Sequence, residues 1–305
     1  MDANQRLKGV FAPVLTPFDA MLEPDAKRFI EHCRWLLDHD AGLAVFGTNS
    51  EANSMSVAEK MELLDQLMAA DIPAARVMMG NGCSALTDTV TLTQHALSHG
   101  VVNMLTLPPF YYKGVSDDGL FDSYVEIIER VADERLKIYL YHIPQVSSVP
   151  ISMSLIERLL KTYPDAIAGV KDSSGEWDNT LEMLTEFGPD GFNVFAGSES
   201  FLLATLQNGG AGCIASTTNV SPKAIVALFN NWTGDDATVQ QTALDATRSV
   251  FLQYAGIPAY KAAVAHFRSD PEWANVRPPL QSLTSTQQAA LVRALQGQGF
   301  TMPGI

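Results

Sequence analysis

The chain has 305 residues, 47% hydrophobic and 18% charged, with a formal net charge of −14. That is enough apolar material for a substantial core, and an α/β barrel of roughly 250 residues with a modest appendage accommodates the length. The acidic balance and the lack of any Lys/Arg cluster exclude a nucleic-acid binder and oppose attraction to anionic lipid.

Cys33, Cys83 and Cys213 are widely separated and form no CxxC pair, so neither a disulfide framework nor a zinc site is expected. Segment 1–5 (MDANQ) lacks the basic-then-apolar layout of a signal peptide, and no apolar stretch approaches the ~18 residues of a membrane span. A reducing, cytoplasmic compartment and no membrane partner are the expectation.

In chain order, eight short apolar runs alternate with longer amphipathic segments. The runs are 9–16 (GVFAPVLT), 42–47 (GLAVFG), 76–82 (RVMMGNG), 101–109 (VVNMLTLPP), 137–144 (KIYLYHIP), 166–174 (AIAGVKDSS), 192–198 (FNVFAGS) and 210–217 (GAGCIAST). They do not alternate polar with apolar, which suits strands buried on both faces of a parallel sheet. Helical patterns occupy 25–39, with Phe29, Cys33, Leu36 and Leu37 on one side, and 56–70, with Ser56 as N-cap before Glu59. Others span 85–99, 119–132, 152–162, 179–187 and 200–208.

Eight strand–helix alternations predict a closed TIM (β/α)8 barrel, with an open doubly wound sheet as the alternative. No GxGxxG follows the first strand, as a dinucleotide-binding sheet would require. After about residue 220 only helices are predicted, at 221–231, 235–254, 258–267 and 284–295, with the Pro-rich 277–280 as a connection. The expected organisation is a catalytic barrel over 1–233 and a C-terminal helical region over 234–305.

Barrel enzymes carry their reactive groups at the carboxyl ends of the strands. The sixth run ends in Val170-Lys171-Asp172, a single lysine closing an apolar strand. Lys60, Lys161, Lys223 and Lys261 fall instead in helical patterns, where solvent exposure is expected. A lysine in a partly dehydrated site supplies neutral amine for attack on a ketone. A structural lysine reaching the barrel rim is the other reading of Lys171. The fifth run ends in Tyr139-Leu140-Tyr141-His142, and strand alternation puts Tyr139 and Tyr141 on one face, with Tyr141 nearer the carboxyl end. A phenol there can shuttle protons, or can simply be a rim residue. His142 faces the other way and reads as a packed histidine.

The second run ends in Gly47-Thr48-Asn49-Ser50-Glu51, whose backbone N–H groups can form an anion pocket or an ordinary turn into a helix. The fourth ends in Pro108-Pro109-Phe110-Tyr111-Tyr112, an aromatic cluster suited to a pocket, a subunit contact or loop packing.

Together these strand ends resemble the dihydrodipicolinate synthase / N-acetylneuraminate lyase family over roughly residues 7 to 300, by order and spacing of motifs. GTNSE at 47–51, PPFYY at 108–112, LYHIP at 140–144, GVKDSSG at 169–175 and NGGAGCIASTTNV at 208–220 carry the resemblance. It implies a class I lyase in which Lys171 forms an imine with pyruvate or another 2-oxo acid and Tyr141 is the general acid/base. Thr48 joins Tyr141 in a proton relay that Tyr111 completes from a neighbouring subunit. The pyruvate carboxylate sits on the Thr48 and Asn49 amides, and the Ile214 carbonyl faces the same pocket. It further implies a homo-oligomer, a tetramer built as a dimer of dimers, and no metal or other cofactor.

Two departures bear on the substrate. Asn49 and Ser50 stand where the family has threonine and glycine. Synthases of the family place an arginine after the Pro144 position, for a second carboxylate. Here 145–149 reads QVSSV, and no arginine occurs between Arg135 and Arg158. An arginine from elsewhere, such as Arg248 or Arg277, is the alternative source of that cation. Ser173, Ser198, Glu199 and Ser216 fall where the sugar-acid lyases bind hydroxyls, although serine is also common at strand ends. The resemblance therefore points to an aldolase for a 2-keto-3-deoxy sugar acid. A dihydrodipicolinate synthase, a 2-oxo acid dehydratase or deaminase, and a non-catalytic ligand-sensing barrel are the alternatives.

Overall fold

A computed structural model describes residues 6–305, so segment 1–5, on which the reading of a missing leader rests, lies outside the described residues. The strands are β1 (Gly9–Pro13), β2 (Gly42–Val45), β3 (Val77–Gly80), β4 (Asn103–Thr106), β5 (Lys137–His142), β6 (Ile167–Asp172), β7 (Asn193–Ala196) and β8 (Gly212–Ile214). They close a parallel (β/α)8 barrel in sequence order. Each falls inside one of the eight apolar runs, and β2, β3, β4 and β6 are buried at every residue. No helix among the described residues is long and apolar enough to cross a membrane.

The chain divides into two compact units. The first comprises the segment up to Gly9 and Pro73–Ile214. It holds β3 to β8 and the helices α3 (Leu86–Ser98), α4 (Asp117–Val131), α5 (Pro144–Ser147), α6 (Met153–Thr162), α7 (Trp177–Phe187) and α8 (Leu202–Gln207). The one-turn α5 is too short to carry a periodic signal, and no sequence pattern announces it. α4 and α7 each start two residues ahead of their predicted positions, α4 because Ser116 accepts from Gly119 N–H and so caps it. The β5–β6 register pairs Tyr141 with Lys171 and His142 with Asp172. Gly169 lets β6 approach both neighbouring strands: a Cβ there would collide with the Asn193 carbonyl oxygen of β7 and lie 2.9 Å from the Tyr139 ring of β5. Tyr139 itself is buried, and its hydroxyl accepts from Leu7 N–H at 2.8 Å.

The second unit comprises Val10–Ile72 and Ala215–Ile305. It holds most of β1, all of β2, and α1 (Ala26–Asp38), α2 (Val57–Ala69), α9 (Pro222–Asn230), α10 (Ala237–Phe251), α11 (Gly256–Arg268) and α12 (Ser285–Gly297). Ser56 and Glu59 form the capping box of α2, and Thr284 with Gln287 forms that of α12. α1 buries Phe29, Cys33 and Leu36 as expected, but also His32 and Trp35, while Leu37 is only half-buried.

Two lysines expected in solvent are not there. Lys60 on α2 is 5% exposed and Lys261 on α11 is 0% exposed. α11 is buried at every position from Pro258 to Val264, so no face of that stretch remains for water. The charge of Lys261 is met by Glu51 instead.

Candidate active site

In the first unit, Lys171 is the penultimate residue of β6 and is 3% exposed. Its Nζ donates to Tyr141 Oη at 3.1 Å and lies 4.2 Å from that ring's centroid. Tyr141 is 2% exposed, the cross-strand neighbour of Lys171 on β5. An amine and a phenol are thus held in direct contact in a buried place, which is what imine formation and proton transfer at the same carbon require.

The next residue of each strand faces the opposite side. Asp172 is 3% exposed and accepts from Ser174 N–H at 2.9 Å, Ser174 Oγ at 3.1 Å, Asn179 Nδ2 at 3.1 Å and Thr180 Oγ1 at 2.6 Å. These bonds tie the end of β6 to the first turn of α7. His142 Nδ1 accepts from Ile151 N–H at 3.0 Å, so the proton of the neutral ring sits on Nε2. Burial pushes His142 below the usual histidine range, and the nearby Asp172 carboxylate partly opposes this. His142 is the packed histidine that the alternation implied.

Ser173 is half-buried, its N–H donating to His142 O at 2.7 Å and its carbonyl accepting from Gln145 Nε2 at 2.5 Å. Gly197 leaves room for the Ser173 side chain: a Cβ at 197 would meet Ser173 Oγ. Ser198 Oγ caps the turn that follows, accepting from Ser200 N–H at 3.2 Å. Glu199 is 1% exposed, and Ile214 closes β8 with no exposure. Tyr111 is 72% exposed, edge-on to Tyr112 with ring centroids 5.3 Å apart. The loop beneath it is pinned by Lys113, whose Nζ donates to Phe110 O and, at 2.8 Å, to Ser147 O.

In the second unit, Thr48 and Asn49 open a short 3-10 turn after β2, over Thr48–Ser50. The turn's own ladder uses the N–H groups of Ser50, Glu51 and Ala52, not those of Thr48 and Asn49. Asn49 Nδ2 donates to Ser216 Oγ at 2.5 Å, so two residues singled out from opposite ends of the sequence meet. Ser216 opens the turn after β8, held by Asn219: its Nδ2 donates to Ser216 O at 3.1 Å and Pro13 O at 2.9 Å, and its Oδ1 accepts from Leu15 N–H at 3.1 Å.

Sequence reading missed Glu51, Lys261, Asp172 and Asn219. A signal existed for Lys261: the stretch GIPAYKAAVA offers no polar face in which a lysine could be solvated. Arg277, an alternative cation for a second carboxylate, is committed elsewhere. Its Nε donates to Leu22 O at 2.7 Å, NH1 to Ser54 O at 2.8 Å and NH2 to Glu59 at 2.5 Å.

A barrel with a buried lysine–tyrosine pair at its strand ends has the groups that an imine-forming lyase needs. A profile of the dihydrodipicolinate synthetase family matches residues 6–298, and the chain belongs to that family, whose members are lyases and aldolases with a class I, Schiff-base mechanism. An uncharacterized DapA-like lyase of Chloroflexus aurantiacus is 35% identical over 293 residues, 95% of this chain and 96% of that protein. The crystal structure of dihydrodipicolinate synthase from Agrobacterium tumefaciens superimposes with a TM-score of 0.87 at 29% identity, covering 95% of this chain and 99% of the other. A variant of 2-keto-3-deoxygluconate aldolase from Sulfolobus solfataricus shares the fold, with a TM-score of 0.85 at 20% identity over 95% of this chain and 96% of the other.

Proposed function

We propose that this lyase cleaves a 2-keto-3-deoxy sugar acid to pyruvate and an aldehyde. The observation that carries the mechanism is the 3.1 Å contact between Lys171 Nζ and Tyr141 Oη in a buried strand end. The amine adds to the substrate ketone and water leaves, giving a protonated imine. That imine draws the electrons of the cleaved carbon–carbon bond into an enamine, and Tyr141 moves the protons. Thr48 joins the relay, the Thr48 and Asn49 amides receive the pyruvate carboxylate, and the Ile214 carbonyl faces the same pocket. Tyr111 of the partner subunit completes the relay, which makes a homo-oligomer the working form; the family resemblance points to a tetramer built as a dimer of dimers.

The choice of substrate rests on the segment after Pro144. Gln145 turns back onto Ser173 O, and the guanidinium nitrogens of Arg277 are engaged within their own unit, so neither is poised for a second carboxylate. Ser173, Ser198, Glu199 and Ser216 are the candidates for substrate hydroxyls, Ser198 through the O–H that its cap leaves free to donate. Condensation of pyruvate with aspartate semialdehyde is the second reading, favoured by the 29% identity to a dihydrodipicolinate synthase.

Borohydride reduction in the presence of pyruvate should add a three-carbon acid to Lys171, and Lys171→Ala should abolish the adduct while the fold persists. An adduct on another lysine refutes the mechanism. Steady-state kinetics on a panel of 2-keto-3-deoxy acids, set beside semialdehyde condensation and dehydration, decides the substrate. A higher kcat/KM for condensation overturns the sugar-acid assignment and leaves the imine standing.

A further inference from the structure

We propose that Glu51 and Lys261 are positioning residues, whose buried ion pair holds the turn after β2 in the shape that serves the substrate carboxylate. The inference rests on the role of Thr48 and Asn49 proposed above.

The turn is bracketed by two residues in a backbone conformation that L side chains rarely adopt. Phe46 has φ 57° and Glu51 has φ 55°, both left-handed and neither a glycine. Such conformations persist only where the surroundings over-determine them. At Glu51 the surroundings are explicit. Lys261 Nζ lies 2.5 Å from Oε1, Arg277 N–H donates to Oε2 at 2.9 Å, and the Glu51 and Lys261 side chains are both 0% exposed. Beneath them, Lys261 Nζ stands 4.4 Å and the Arg277 guanidinium 4.7 Å from the centroid of the Phe18 ring. Phe18 has no exposure, so the ammonium and the carboxylate share one dry place, with the Arg277 guanidinium at its edge, 14% exposed.

A buried ion pair adds little net stability, because removing two charges from water offsets their attraction. Stability alone therefore does not account for it. What the pair does constrain is backbone: Glu51 is the residue at which the Thr48–Ser50 turn ends, and Glu51 N–H donates to Thr48 O at 3.1 Å. Fixing the Glu51 side chain from α11 fixes the direction in which the Thr48 and Asn49 N–H groups point.

The charged groups around the ammonium are Glu51 on the turn, Arg277 on the connection before α12, and, beyond Arg277, Glu59 on α2 at 2.5 Å and Glu23 at 3.8 Å from its NH2. Glu51 favours the protonated lysine and Arg277 opposes it. Burial, with Arg277 acting in the same direction, outweighs Glu51 and brings Lys261 down to about 8. Above that pH the ammonium is lost, and a buried carboxylate is left without its cation. Substrate binding should then weaken on the alkaline side for a reason unrelated to the chemistry at Lys171.

The test is the pyruvate concentration that half-saturates borohydride trapping, measured from about pH 7 to about pH 9.5, a range that spans the loss of the ammonium. Three proteins are compared: the wild type, Lys261→Met and the neutral pair Glu51→Gln/Lys261→Met. Lys261→Met should raise the half-saturating concentration about tenfold or more, the scale of an uncompensated buried charge. The adduct at saturation should remain full and on Lys171. The neutral pair should return to within about threefold of wild type, since the amide oxygen introduced by Glu51→Gln still accepts from Arg277 N–H. Relative to the neutral pair, the wild type should weaken as pH rises through about 8. Lys261→Met with a lower melting temperature and unchanged half-saturation would show a purely structural pair and overturn the proposal. So would the same alkaline weakening in wild type and neutral pair, a comparison that stands even if Lys261→Met fails to fold. No adduct on the wild-type protein would remove the underlying reading, an outcome distinct from an adduct whose half-saturation does not respond.

Discussion

His32 makes the stability of the second unit depend on pH between about 7 and about 5. It is wholly buried on α1, stacked on Trp35 with centroids 5.5 Å apart and tilted against Trp273 at 5.1 Å. Nε2 lies 3.4 Å from Asn219 Oδ1, and Nδ1 lies 3.4 Å from Arg268 NH2. A neutral ring with its proton on Nε2 satisfies both neighbours, whereas a second proton on Nδ1 would face the guanidinium. Burial first, and Arg268 second, push His32 down to about 3. The unfolded chain takes up a proton near 6.5 that the folded chain refuses. The stabilising effect is therefore complete above that value and declines as pH falls toward 3. At about pH 5 the gap amounts to about 2 kcal/mol, from roughly 1.36 kcal/mol per unit over roughly one and a half units.

Urea denaturation at neutral pH and at about pH 5 measures it. His32→Gln can still donate to Asn219 but does not titrate. The wild type should lose about 2 kcal/mol more than this variant between the two pH values. Glu59, held down to about 2 by Arg277, titrates below this window. His142 contributes equally to both proteins. An equal loss in wild type and variant would refute the reasoning.

Four further outcomes are expected. Tyr141→Phe should keep a trappable imine but slow turnover ~100-fold, read by single-turnover kinetics; near-normal turnover would remove Tyr141 from the mechanism. Asn219→Ala leaves Leu15 N–H and the Pro13 and Ser216 carbonyls without their bonds, and should lower stability by about 3 kcal/mol in urea, at roughly 1 kcal/mol per bond or more. Gly169→Ala should lower the melting temperature through a clash equivalent to about 1–3 kcal/mol, because Asn193 O is backbone and cannot turn aside. Light scattering should show an oligomer, and Tyr111→Phe should slow turnover without changing its mass; a fully active monomer would contradict the role given to Tyr111.

Patterns confined to a few neighbouring residues carried much of this structure in the sequence itself. Each of the eight apolar runs contains a strand because residues buried on both faces cannot alternate with polar ones. Ser56 with Glu59 announces a helix start because a cap bonds three residues ahead. Lys171 and Tyr141 could be singled out because a polar group at the end of an apolar strand has few other uses, and strand alternation already separated Tyr141 from His142.

Lys261 shows where such reasoning stops. The apolar stretch around it leaves no polar face for water, but nothing within one turn announces its partner Glu51, which lies 210 residues away. Asn49 and Ser216 are 167 residues apart, and Asn219 and Leu15 are 204 apart. Whether a polar side chain faces water or a partner depends on which surfaces the rest of the chain covers. That coverage exists only after the chain has closed on itself, so local periodicity holds no record of it.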